Sequence, residues 1–264
     1  DPYDVFDLEV YREKPEIFWQ FAHLIFPTEN PLYSATHLFV EMLEKRGKLL
    51  RVYSQNVDTL ERGIPDDKLR CVHGSWRENR CISCGHVYSI DDLRPAVNAC
   101  TVPRCVVCGG TIKPGIVFFG QQTNIDDAET YSDAAHADLL IVIGTSLKVA
   151  PISELPTLMW HVPSILINRE PVPHRFSAEL LGECDDIVHN IEKALGWPSE
   201  LNDCALSEDK ESLSIAAETR EVKLYPPNKF IFPSESKYAT TVIETSHNTF
   251  LVTPKRITTK EFAA

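Results

Sequence analysis

An alternating α/β architecture carrying a small metal-bearing insert is the fold class that this 264-residue sequence predicts, and three observations support it. Short apolar runs end in a small or polar residue at "IVFFG" (116–120), "LLIVIGTS" (139–146) and "SILINRE" (164–170), which is how buried parallel strands read. Helix-like stretches such as "DDAETYSDAAHA" lie between them, the pattern of a parallel sheet with helices on its faces. Two C-x-x-C pairs, Cys81/Cys84 and Cys105/Cys108, stand twenty residues apart, each followed by glycine.

Taken in order, "KPEIFWQFAHLIF" (14–26) puts Ile17, Phe18, Phe21, Leu24 and Ile25 on one helical stripe, with Pro15 suited to a first turn. "SATHLFVEMLEKRG" predicts a second helix with Ser34 as N-cap, an apolar face of Leu38, Phe39, Met42 and Leu43, and Gly47 as its stop. "KLLRVYSQN" reads as a buried strand entering a polar turn. Ligands of open parallel sheets collect at the carboxyl ends of strands, so Gln55-Asn56, Gly144-Thr145-Ser146 and Asn168-Arg169 are the first candidates for a binding site. Beyond about residue 198 the chain turns polar and acidic, and 199–220 reads as a linker. "EVKLYPPNKFIFP" then carries a hairpin signal around Pro226-Pro227-Asn228, while "YATTVIETSHNTFLVT" is either a second hairpin or a tail.

A net charge of −12 and a pI near 5.2 oppose a broad hold on nucleic acid phosphates and suit basic partners such as lysine-rich segments. The longest aliphatic run, "LLIVI", is too short to span a bilayer by a factor of about four. Eight cysteines are too few for a disulfide scaffold at this length, and their pairing favours metal binding in a reducing compartment. The opening "DPYDVFDLE" has no apolar signal region and reads as an internal start.

Cys81, Cys84, Cys105 and Cys108 supply four thiolates, the set that one structural zinc prefers; a filled shell leaves no open position for catalysis. That leaves Cys71 and His73, in "CVHGSWRENRCISCG", with no metal role.

The remaining motifs run in one order: "YSQNVDTLE" (53–61), "HGS" (73–75), the paired C-x-x-C, "KPGIVFFG" (113–120), "GTSLKVAP" (144–151), "INRE" (167–170) and "LLGECDD" (180–186). Together, over residues 3–197, they resemble the sirtuins, NAD-dependent protein-lysine deacylases, and among them the class I subgroup that includes the nuclear sirtuin-one enzymes. "KLYPPNKFIFPSESKY" is similar to the C-terminal regulatory segment of that subgroup, a hairpin along a sheet edge.

The resemblance implies a Rossmann-type domain over 1–76 and 113–198, incomplete at its N-terminus and with a helical insertion at about 1–47. It implies a zinc domain over 77–112, and a regulatory β-hairpin segment and tail over 221–264, with cofactor and peptide meeting in a cleft. It makes His73 the general base. Gln55, Asn56 and Asp58 would orient the nicotinamide ribose and a water, although each is also a good turn cap. Gly144, Thr145 and Ser146 would let backbone approach NAD, Asn168 and Arg169 would meet the adenosine ribose, and Cys184 would lie beside adenine. Val117, Phe118, Phe119 and Gly120 would hold the substrate lysine, with Phe118 and its neighbours also readable as core. The implied products are nicotinamide, free lysine and O-acyl-ADP-ribose; the implied partners are acetyl-lysine proteins such as histones or transcription factors. No membrane and no sequence-specific nucleic acid enters that set, and the implied location is the nucleus, with the cytoplasm as a second.

The sequence departs from the family pattern in four places. No G-A-G-x-S loop or P-D-F-R segment is present, so this chain alone is expected to be inactive, and a non-catalytic zinc-containing interaction module is the alternative reading. Gly115 stands where an acidic or amide residue is common, Gln121 where Glu is usual, and Trp76 where Phe is frequent.

Overall fold

The computed structural model describes residues 2–197, 223–225, 229–231, 240–244 and 250–254. The acidic 199–220 stretch and the 226–228 turn lie outside the described residues. The chain divides into two compact units: 1–33 with 41–130, and 34–40 with 131–264.

The first unit opens with α1 (Leu8–Glu13), whose start is fixed by Asp7: its Oδ1 accepts from Val10 N–H at 2.9 Å. Helix α2 (Glu16–Phe21) passes into a 3-10 turn, Ala22–Leu24. This break rotates the predicted stripe. Phe18, Trp19 and Ala22 go into the core, whereas Phe21 and Leu24 are 49% and 69% exposed. Their core is aromatic, built from Tyr11, Phe18, Trp19, Trp76 and Phe118, with edge-on pairs such as Tyr11–Phe118 at 5.2 Å and Phe18–Trp19 at 5.3 Å. Trp19 Nε1–H donates to the Tyr11 hydroxyl at 2.8 Å, and that hydroxyl donates to Ile112 O at 2.6 Å, so both buried polar tips are satisfied.

Two short strands, β1 (Val52–Ser54) and β2 (Leu69–Cys71), pair in parallel. A small antiparallel sheet follows in the order β4–β3–β5, from β3 (Asn79–Cys81), β4 (Val87–Tyr88) and β5 (Ile112–Lys113). Helix α4 (Ile90–Asn98) starts at a capping box between Ser89 and Asp92, which holds the Asp92 carboxyl below the usual carboxylate range. Residues 116–120 do not form the expected strand. Their backbone groups are taken by separate partners: Val117 N–H donates to His73 O, Phe119 N–H to Phe6 O, and Leu8 N–H to Phe119 O.

The second unit holds a five-stranded sheet. Strands β6 (Leu140–Ile143) and β7 (Ser164–Asn168) are parallel, as their apolar runs predict; β8 (Ala178–Leu181), which no such run announces, pairs in parallel with β7, and β10 (Lys229–Ile231) extends the sheet in parallel on β8. Strand β9 (Lys223–Tyr225) closes the edge, antiparallel to β10. Strands β11 (Thr240–Glu244) and β12 (Phe250–Pro254) pair antiparallel, the hairpin alternative for that stretch. Helix α7 (Cys184–Leu195) ends where Gly196 takes φ +65°, and Trp197 then stacks on Phe39 at 6.1 Å. Helices α3 (Ala35–Lys45), α5 (Asp127–His136) and α6 (Leu155–Leu158) complete the elements. No helix among the described residues is long and apolar enough to cross a membrane.

Candidate functional site

The four paired cysteines come together. Each C-x-x-C forms the same turn: Gly85 N–H donates to Cys81 O and Gly109 N–H to Cys105 O, with both glycines at positive φ (+74° and +72°). All four Sγ atoms lie within 4.8 Å of one another, with Cys81–Cys108 at 3.5 Å and Cys84–Cys105 at 3.6 Å. A tetrahedral zinc with sulfurs at about 2.3 Å needs sulfur separations of about 3.8 Å, so the group fits that ion. Backbone N–H groups of Ser83 and Gly110 point at Cys81 and Cys108 Sγ, each at 3.4 Å, and stabilise thiolate charge. The Tyr88 hydroxyl donates to Cys105 Sγ at 3.1 Å and accepts from Val106 N–H at 2.9 Å. Tyr88 is a supporting residue that the cysteine spacing alone does not reveal.

In the first unit, Gln55, Asn56 and Asp58 follow the carboxyl end of β1, and His73 follows that of β2. Parallel pairing of Ser54 with Cys71 puts these two exits side by side. His73 is half-buried, and its Nδ1 lies 3.1 Å from Gln55 O. A carbonyl oxygen only accepts, so this contact assigns the proton of a neutral imidazole to Nδ1 and leaves the Nε2 lone pair available. Asp58 Oδ1 accepts from Leu60 N–H at 3.1 Å and caps its own turn, while Asn56 is exposed.

The loop after His73 is locked backbone to backbone. Gly74 has φ +69° and bridges Ile116; a Cβ there would stand 1.9 Å from Gly115 O. A Cβ on Gly115 would stand 2.0 Å from Glu78 O and 2.5 Å from Ser75 O. Glycine at 115 therefore removes a side chain where 113–116 lies directly on 75–78. Gln121 Oε1 accepts from Phe118 N–H at 2.9 Å, a task that needs only an acceptor. Trp76 is fully buried, and its Nε1–H donates to Ile25 O at 3.1 Å.

Of the four substrate-segment candidates, Phe118 is 1% exposed within the aromatic core, whereas Phe119 is 55% exposed. Val117 is half-buried, and Gly120 takes φ +89°. Beneath them lies Lys113, 8% exposed, whose Nζ donates to Ile116 O at 2.5 Å and Pro114 O at 3.0 Å and sits 4.0 Å over the Phe118 ring. Burial pulls its amine from 10.5 down to about 8. Composition around "KPG" gives no hint of this, since lysine beside proline and glycine ordinarily reads as a solvated turn. An open cavity of about 850 Å³ in this unit is lined by Cys71, Ser75, Arg77, Lys113 and Val117, but not by His73.

In the second unit, Gly144, Thr145 and Ser146 follow β6, Asn168 ends β7, and Cys184 opens α7 just after β8. Asn168 Nδ2 ties two loops together, donating to Thr145 O at 3.2 Å and Glu170 O at 2.8 Å. Cys184 Sγ donates to Ile167 O at 3.7 Å, and burial pushes its thiol up. Gly144 has φ +63°, and an added Cβ would touch Cys184 Sγ at 4.0 Å, so Gly144, Thr145, Asn168 and Cys184 form one cluster. Arg169 turns away to Glu183 through Nε and a terminal nitrogen, at 3.0 and 2.7 Å, and Ser146 is exposed.

Comparison with known proteins agrees with this arrangement. A profile of the Sir2 family matches residues 1–151. The chain is 44% identical over 200 residues to the NAD-dependent protein deacetylase sir-2.1 of Caenorhabditis briggsae, covering 74% of this chain and 33% of that protein. It is 38% identical over 216 residues to the NAD-dependent histone deacetylase SIR2 of Candida albicans (75% and 41%) and 41% identical over 206 residues to sirtuin-1 of Rattus norvegicus (74% and 37%). The chain thus spans about a third to two-fifths of the length of these relatives. A solved Sir2Tm structure bound to a propionylated peptide superposes with a TM-score of 0.67 at 28% identity, covering 74% of this chain and 85% of that one. With the family profile, the α/β sheets and the four-cysteine group in agreement, the chain belongs to the Sir2 family.

Proposed function

We propose that the protein to which this chain belongs is an NAD-dependent protein-lysine deacylase with His73 as general base and one structural zinc on Cys81, Cys84, Cys105 and Cys108. The observation that carries the reading is the His73 contact: with Nδ1–H donated to Gln55 O, Nε2 is a proton acceptor at the exit of a parallel strand. The relatives' names, NAD-dependent protein and histone deacetylases, support the substrate class.

The acyl oxygen attacks the ribose carbon that bears nicotinamide, that C–N bond breaks, and nicotinamide leaves. The former amide carbon is now an imidate carbon joined to the ribose; His73 Nε2 takes the proton of a ribose hydroxyl, whose oxygen attacks that carbon. Water then adds to the same carbon, its C–N bond breaks, and lysine leaves with the proton that His73 has held, giving free lysine and O-acyl-ADP-ribose. Gln55, Asn56 and Asp58 present short polar side chains to the nicotinamide ribose. Gly144, Thr145, Ser146, Asn168, Arg169 and Cys184 form the adenosine-side contacts, and Val117, Phe118, Phe119 and Gly120 flank the acyl-lysine. Zinc holds 77–112 folded and takes no part in bond making, because four thiolates fill its shell. Acetylated lysines of nuclear proteins, histones among them, are the substrate class we assign.

The test is nicotinamide release by the full-length protein from NAD and an acetyl-lysine peptide. Release that requires the acyl group, together with O-acyl-ADP-ribose formation that requires His73, supports the reading; peptide-independent release, or none, refutes it.

A further inference from the structure

We propose that Lys113 is a positioning residue for this reaction: a clasp that fixes the Ile116 carbonyl and thereby the 116–119 segment and the backbone of His73. The inference rests on the deacylase reading for its purpose, but its geometry stands alone. Lys113 Nζ reaches the carbonyls of Pro114 and Ile116 and covers one face of Phe118. The next residue, Val117, donates its N–H to His73 O at 2.7 Å, while Ile116 bridges Gly74 on the other side of that histidine's peptide. A line of direct bonds therefore runs from the Lys113 amine through Ile116 and Val117 to His73, and on through Nδ1 to Gln55.

The setting is unusual for a structural lysine. A buried ammonium normally has a carboxylate partner. Lys113 has none among the described residues and is held by two carbonyl oxygens and a ring face. Either protonation state serves, because a neutral amine still carries two N–H donors for the two carbonyls. The residue's place on β5, paired with Arg80 and next to Ile112, anchors the clasp to the cysteine-bearing sheet. Through Lys113, the order of that sheet reaches the segment proposed to hold the acyl-lysine.

The test uses this chain loaded with zinc, without NAD or peptide, so that its outcome is separate from that of the deacylase assay. Lys113→Met keeps the aliphatic stem and removes both donors. The expected result is amide hydrogen exchange at Val117 and Phe119 faster by about tenfold or more, with the knuckle amides of Gly85 and Gly109 unchanged. The His73 Nδ1–H resonance should broaden at the same time. Unchanged exchange at Val117 and Phe119 overturns the proposal. So does a uniform rise that includes the knuckles, which would make Lys113 merely a stabilising residue. If the variant does not fold, amine methylation of the unaltered chain decides: Lys113 reacting about tenfold more slowly than exposed Lys48 supports the clasp, and equal rates overturn it.

Discussion

Replacing Tyr11 with Phe removes one oxygen from the aromatic core and leaves two polar groups stranded. The hydroxyl both donates to Ile112 O at 2.6 Å and accepts from Trp19 Nε1–H at 2.8 Å, and all three residues are at most 2% exposed. Each buried group left without a partner costs about 1–3 kcal/mol, so the pair costs about 2–5 kcal/mol once partial relaxation is allowed for. The ring stays, so no cavity larger than one oxygen adds to this. For a unit of this size, about 3–5 °C accompanies each kcal/mol, and the melting temperature should fall by roughly 6–25 °C. Differential scanning calorimetry of the zinc-loaded chain, with urea unfolding as a second measure, reads the loss. A change below about 1 kcal/mol would refute the reasoning, because it would mean that the stranded groups find water or other partners.

Three further outcomes follow from the same geometry. Gly74→Ala forces a Cβ to within 1.9 Å of Gly115 O at φ +69°, so it should lower stability by at least about 1–2 kcal/mol and displace His73, as read by urea unfolding and the imidazole NMR signals. Removing zinc with a chelator, or Cys105→Ala, should collapse amide protection across 77–112 while the sheet of β6, β7 and β8 keeps its own, as followed by hydrogen exchange. The Lys113 amine is lowered to about 8 in the folded chain, so between pH 8 and 10.5 the unfolded chain binds the extra proton. Stability should therefore rise with pH across that window, by up to about 3 kcal/mol, and Lys113→Met should flatten the rise.

How far the sequence reveals the molecule depends on how local the relevant physics is. The cysteine knuckles can be read directly because ligands, spacing and the following glycines lie within one turn of each other. The runs at 140–143 and 164–168 announce strands because they are short and predominantly apolar, a local signal that survives even though only Val142 of β6 is buried. Residues 116–120 carry the same apolar signal without becoming a strand: His73, Phe6 and Leu8 take their backbone groups one at a time, and pairing of that kind leaves no period in the sequence. The stripe drawn through Phe21 and Leu24 assumes an unbroken helix, which the 3-10 turn at Ala22 ends. Tyr11 and Ile112 meet across a hundred positions, so their bond is not visible locally; the Lys113 clasp joins Pro114, Ile116 and Phe118, close in sequence, but through carbonyls and a ring face that leave no periodic signal. Asn168 is legible as a polar strand end, whereas its bond to Thr145 and the place of Cys184 beside Gly144 emerge only once β6, β7 and β8 are seen to pair.

The central claim is that His73 acts as base after nicotinamide has left, and nicotinamide exchange isolates that step. Full-length protein is incubated with NAD, acetyl-lysine peptide and isotopically labelled nicotinamide, with and without His73→Ala. The account predicts that the variant still incorporates label into NAD while O-acetyl-ADP-ribose falls by at least about a hundredfold, the usual worth of a positioned base. Loss of exchange and product to the same extent, or full product formation by the variant, would contradict it.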